Sequence, residues 1–116
     1  VQRVLFRSDA IQMLKDMAIS IQEMDLKDFT ILVEGHTDDT GLPESSPFAS
    51  NWELSAMRSA RIVRFLIEQG VEPARLQANA YADTRPKVPN VDLQGNGIPE
   101  NREQNRRVLI NIKRML

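Results

Sequence analysis

Apolar residues recur at three- and four-residue steps from Ala10 and Ile11 through Leu14, Met17, Ala18 and Ile21 to Met24. That spacing lines one face of an amphipathic helix and predicts one over residues 9–25, with Ser8-Asp9 ahead of it as capping side chains. Met13, Met17 and Met24 read as core filling. Val4-Leu5-Phe6 form a short apolar run ending at Arg7, which reads as a first strand. Phe29 to Glu34 is apolar and β-branched, with Phe29, Ile31 and Val33 on one face, and stops at Gly35; this predicts a buried strand. Ser50-Asn51-Trp52-Glu53 fits a capping box, in which Ser50 accepts from the Glu53 amide while the Glu53 side chain bonds back to Ser50. A second helix follows to Gln69, and Gly70 stands where a left-handed stop is wanted. Pro73 opens a single helical turn in the connector 71–76, Gln77 to Tyr81 alternates weakly as a strand, and a helical turn falls near 100–105. Arg106 to Lys113 alternates cleanly, with Val108, Ile110 and Ile112 inward and Arg107, Leu109, Asn111 and Lys113 outward. The order β-α-β-α-β-β predicts an α+β fold, a two-layer sandwich of a small mixed sheet with helices packed on it.

Two segments break the periodicity. Residues 36–50 and 83–101 are rich in Pro, Gly, Ser, Asp and Asn and read as extended loops, a length at which loops are often functional.

At 116 residues the chain has room for one domain and one core. Its 41% hydrophobic and 27% charged fractions are those of a soluble globular protein. Fifteen Lys and Arg against sixteen Asp and Glu give a net charge of -1, so no global field draws in a polyanion, and nucleic acid is not an expected partner. Without cysteine there is no disulfide framework, thiolate zinc site or thiol nucleophile. The chain starts at Val1 and holds no long apolar run, so it reads as a piece of a longer chain whose targeting or membrane segments lie elsewhere.

The chemistry concentrates in two places. On the second helix, Leu54, Ile62 and Phe65 lie within about 40° of Arg58 at the helical 100° per residue, which sets a guanidinium beside the buried stripe. Burying it unpaired costs several kcal/mol, so a carboxylate or a carbonyl should meet it, unless it merely snorkels to solvent. Asn51 points the same way. The second place is Gly35-His36-Thr37-Asp38-Asp39, where a buried strand ends before a helix start. Paired across a pocket, Arg58 would take a carboxylate and Asp38 an ammonium, the two ends of a zwitterion. The same acidic stretch is also adequate for an Asx turn, or for a structural ion pair with Arg58. His36, Asp38, Asp39 and Glu44 are permissible metal ligands, but their spacing fits neither the HExxH helix motif nor the EF-hand loop, and no cofactor or metal is expected. A hydrolase using His36, Asp38 or Glu44 is the rival of a different class. In Asn105-Arg106-Arg107 the two arginines must face opposite ways, one able to reach the site and the other solvated.

These residues resemble the peptidoglycan-binding domains of OmpA, Pal and MotB type. The resemblance rests on Val4-Leu5-Phe6, Val33-Glu34-Gly35-His36-Thr37-Asp38, Asn51-Trp52-Glu53-Leu54-Ser55 with Arg58, Gly70-Val71, Arg75-Leu76, Tyr81-Ala82-Asp83-Thr84-Arg85-Pro86 and Asn105-Arg106-Arg107-Val108. It runs from about residue 4 to 113, with the motifs in order, and leans toward the B subunits of flagellar stators. It implies a single domain over 1–116, periplasmic and part of an inner-membrane protein, that binds peptidoglycan at the stem-peptide diamino acid or nearby sugar without cleaving it. It also implies a homodimer that meets the stator A subunit through a transmembrane region outside this chain, or in the alternative an outer-membrane wall anchor. The family's ligand aspartate falls on Asp38, beside Thr37, and its ligand arginine on Arg58, with Asn51, Leu54 and Arg107 expected along the same groove. Ser59, Leu109 and Asn101-Arg102 depart from the usual alanine, glutamate and Gly-Arg.

Overall fold

The computed structural model describes residues 8–24 and 28–114. Its elements in order are α1 (Ser8–Glu23), β1 (Phe29–His36), α2 (Asn51–Glu68), a 3-10 turn (Pro73–Arg75), β2 (Leu76–Ala80), α3 (Pro99–Asn105) and β3 (Arg107–Arg114). The strand expected at Val4-Leu5-Phe6 lies outside the described residues, and the first helix ends at Glu23 rather than at the expected Asp25, with Met24 already in a bend.

β1 is the central strand of a mixed sheet of order β2-β1-β3. β2 runs parallel to it, from Ile31 opposite Leu76 to Gly35 opposite Ala80. β3 runs antiparallel, from Phe29 opposite Arg114 to His36 opposite Arg107. One face carries Ile31 and Val33, both fully buried, and Val108 and Ile110 from β3. Against it lie Leu14, Ala18 and Ile21 of α1 with Ile62 and Leu66 of α2, which makes the expected two layers.

The α2 boundaries follow from local chemistry. Ser50 Oγ accepts from the Trp52 amide at 3.1 Å, one residue short of the expected Glu53, and the Glu53 carboxylate bonds back to Ser50, at its hydroxyl and its backbone. The start is therefore a capping box whose serine accepts one amide early. At the other end Gly70 is left-handed, at φ 103°. Its amide donates to Ile67 O and that of Val71 to Leu66 O, a Schellman closure that tucks Val71 against Leu66 in the core.

Two packing expectations fail. Met13 and Met24 are 58% and 48% exposed, and only Met17 joins the core, because the buried stripe of α1 is confined to Leu14, Ala18 and Ile21. Ile112 shares the inward face with Val108 and Ile110 but is 43% exposed, since it lies toward the far end of β3.

Candidate functional site

At Gly35 the central strand passes so close to α2 that a Cβ there would fall 2.1 Å from Ser55 O, a backbone atom. Only glycine permits that approach. The buried Ser55 hydroxyl, which donates to Trp52 O, accepts from the Ala82 amide at 3.1 Å, and Ala82 O accepts from the Thr37 amide at 2.9 Å. Ala82, buried and left-handed at φ 52°, thus ties the end of β1 to the first turns of α2. That contact brings the Asn51, Leu54 and Arg58 stripe over Thr37 and Asp38.

Together with residues 40–43 and Arg106, these five residues line an open pocket of about 290 Å³. The size is at the lower edge of the range for small-molecule sites. Thr37 donates through Oγ1 to Asp38 O at 2.8 Å, and Asn51 Nδ2 donates to Thr40 O at 3.2 Å, which pins the loop to the helix.

Asp38 and Arg58 share the pocket but not a bond. The Asp38 carboxylate accepts from the Thr40 amide at 2.8 Å and from Arg106 Nη1 at 2.6 Å. Burial alone would raise its pKa, but the Arg106 and Thr40 hydrogen bonds outweigh burial and hold the carboxyl below the usual carboxylate range. Arg58 meets a carbonyl instead. Among the described residues its guanidinium has one long contact, 3.5 Å to His36 O. Burial lowers its pKa and the neighbouring Arg106 adds to this, while Asp38 opposes both. An arginine nevertheless stays charged, so a half-buried cation is left facing the pocket. Asp39 likewise pairs away from Arg58, with Arg102 Nε at 2.8 Å. The two adjacent acids therefore grip arginines four residues apart at the end of α3.

Arg107 does not line the pocket. β1 and β3 are paired so that His36 and Arg107 sit opposite one another on the sheet face turned away from α2. There Arg107 donates to Asn105 O and Arg85 O. Arg106 is the arginine that reaches the site. A signal for it exists in the sequence, because Arg106 shares the parity of Val108 and Ile110, which face the helix layer that carries Arg58.

The hydrolase and metal residues do not converge. His36 is 2% exposed and stacks on Tyr81 with ring centroids 5.3 Å apart; Nδ1 has no hydrogen bond, and Nε2 has only a long contact, 3.5 Å to Glu34 Oε1. Burial first, then Arg107 and Arg85, push its pKa down against Glu34. Glu44 is exposed and outside the pocket lining. Among the described residues no three acidic, His or Cys side chains group as metal ligands.

Outside the pocket, the loop ahead of α3 is fastened by Asn105, fully buried at the end of that helix. Its Oδ1 accepts from the Lys87 and Val88 amides, and its Nδ2 donates to Val88 O and Asn90 Oδ1. Asn101, at one of the departures noted above, donates to Pro89 O at 2.9 Å and fastens the same loop. Ser59, another, is buried and bonds back to Ala56 O, and Leu109 is 39% exposed.

A family model described as "OmpA family" matches residues 3–106. The chain is 42% identical over 80 residues to Motility protein B of Helicobacter pylori, covering 69% of this chain and 28% of that protein. It is 34% identical over 79 residues to the Peptidoglycan-associated lipoprotein of Pseudomonas aeruginosa, covering 66% of this chain and 44% of the relative. It thus spans less than half the length of both. The solved C-terminal domain of Helicobacter pylori MotB superposes with a TM-score of 0.82 at 35% identity, over 97% of this chain and 79% of that one.

Proposed function

The chain belongs to the OmpA family, and on that footing we propose that its pocket holds peptidoglycan without cleaving it, by the stem-peptide diamino acid or nearby sugar. Arg58 takes the carboxylate of the diamino-acid headgroup, Asp38 its ammonium, and Thr37, Asn51 and Leu54 shape the walls. The observation that carries the reading is that Asp38 and the half-buried Arg58 line one open pocket, with Arg58 short of an anion. Similarity to Motility protein B and to solved periplasmic domains of MotB supports an anchoring role in a flagellar stator, in the periplasm and as part of an inner-membrane protein. Residues 1–116 are then one wall-binding domain of a longer chain, which dimerises and meets the stator A subunit through membrane segments outside this sequence. No helix among the described residues is long and apolar enough to cross a membrane. Similarity to the Peptidoglycan-associated lipoprotein favours, as a second reading, an outer-membrane wall anchor using the same pocket.

The test is co-sedimentation with purified sacculi. The wild-type chain pellets with them and releases no soluble muropeptide, whereas Asp38→Asn and Arg58→Ala stay in the supernatant with thermal midpoints within a few degrees of wild type. Release of muropeptides overturns the non-catalytic reading. Unimpaired pelleting of both variants overturns the assignment of the pocket, and collapse of both folds makes the two residues structural.

A further inference from the structure

The charges around the pocket do not balance. Arg58 and Arg106 bring two cations and Asp38 one anion, and that anion is already engaged. Asp38 Oδ2 lies 2.6 Å from Arg106 Nη1 and Oδ1 is taken by the Thr40 amide, whereas Arg58 has only its long contact to His36 O. A ligand ammonium that arrives alone competes with Arg106 for Asp38, and where it wins it displaces the guanidinium. It then leaves two guanidinium groups around a small cavity with no anion to answer them, which is costly at partly buried sites. A headgroup bearing both an ammonium and a carboxylate repairs the loss, because it supplies an anion as it removes one.

From this exchange we infer that Arg106 is a specificity-determining residue: as the resident partner of Asp38, it makes the pocket accept an amino-acid headgroup and discriminate against an amine whose carboxylate is missing or amidated. The inference rests on the reading of Asp38 and Arg58 as the ligand groups. The placement of Arg106 suits an exchange. Its side chain is 43% exposed against 10% for Asp38, so water lies on the arginine's side of the pair. It is the C-cap of α3, one residue before β3 begins, so its side chain can turn outward without breaking a ladder bond. One turn earlier Arg102 holds Asp39 at 2.8 Å, and Asn105 fastens the loop behind, so α3 stays docked when Arg106 lets go.

Two soluble muropeptides test this on the purified chain by calorimetric titration, one with the free carboxylate on its diamino acid and one with that carboxylate amidated. Wild type should prefer the free form at least tenfold. Arg106→Gln should bind the amidated form more tightly than wild type and cut the preference at least threefold, leaving the part that Arg58 supplies, while Arg106→Lys should retain most of it. Thermal midpoints of both variants monitor folding. An unchanged preference in Arg106→Gln, or equal weakening toward both ligands, overturns the role of Arg106 alone. No binding of either muropeptide by wild type, or full binding by Asp38→Asn and Arg58→Ala, overturns the underlying pocket reading instead.

Discussion

Alanine at position 35 probes the contact on which the pocket is built. Its Cβ would stand 2.1 Å from Ser55 O and 2.9 Å from the Ser55 carbonyl carbon. Both are backbone atoms, so no side-chain rotation relieves the overlap, and strand and helix must part by roughly 1 Å. A gap of that size forfeits about a quarter to a half of each dispersion contact across the interface, and α2 carries Ile62 and Leu66 on that interface. Overpacking of a well-filled core costs about 1–3 kcal/mol by itself, and with the loosened contacts a loss of about 3 kcal/mol is expected. At about 2.1 cal/mol/K of unfolding entropy per residue, a 116-residue domain shifts its midpoint by about 4 °C per kcal/mol, so Gly35→Ala should melt roughly 12 °C lower in calorimetry. Urea unfolding followed by circular dichroism should show a lower midpoint at an unchanged slope. Gly41→Ala is the control, because nothing lies within 4 Å of a Cβ there, and it should stay within about 0.5 kcal/mol of wild type. Arg58 rides on the displaced helix, so Gly35→Ala should also bind sacculi less well at temperatures where it is fully folded. If Gly35→Ala matches the stability of Gly41→Ala and keeps its sacculus binding, α2 does not rest on the strand backbone and the account of how Arg58 reaches the pocket is wrong.

Asn105→Ala removes four partly buried hydrogen bonds and strands the Lys87 and Val88 amides; a loss of about 3–5 kcal/mol is expected, with those two amides exchanging hydrogen faster by NMR, and unchanged exchange there would show that the loop has another support. His36 titrates in the opposite sense to a paired histidine, because burial first and Arg107 second hold its folded pKa below its ordinary value. The unfolded chain then binds the extra proton as pH falls below about 6.5. The stability His36 contributes is fully present above that pH and is lost on acidification down to its folded pKa, whereas His36→Phe, which keeps a ring against Tyr81, should have a flatter profile between pH 5 and 7. Parallel profiles would show that His36 does not titrate with folding.

The elements that could be read from the chain are those whose causes are local. A capping serine, a stripe at 3.6-residue period and a glycine after the last turn bounded α2, and the structure moves its details by a single amide. An apolar, β-branched run placed β1, which continues through Gly35 to His36 rather than stopping at Glu34, and alternation placed β3. It failed at Ile112, because burial of a strand residue depends on what covers that end of the strand and not on its parity. The stripe of α1 was drawn too wide at Met13 and Met24 for the same reason. In the pocket, helical geometry alone brought Arg58 and Asn51 to one side, and the strand end supplied Asp38. What it could not decide was a competition among cations. Arg58, Arg102 and Arg106 all lie within reach of the loop that carries Asp38 and Asp39, and the pairing adopted, Asp38 with Arg106 and Asp39 with Arg102, spans 68 and 63 residues of sequence. That outcome depends on where α3 docks, and α3 is docked by Asn105 gripping the irregular backbone of 87–90. No period marks such a segment, so its geometry is set only when the long-range bonds form. The same bonds leave Arg58 as the cation in need of an anion, and in this way a buried asparagine with no place in the pocket decides which charge the pocket offers.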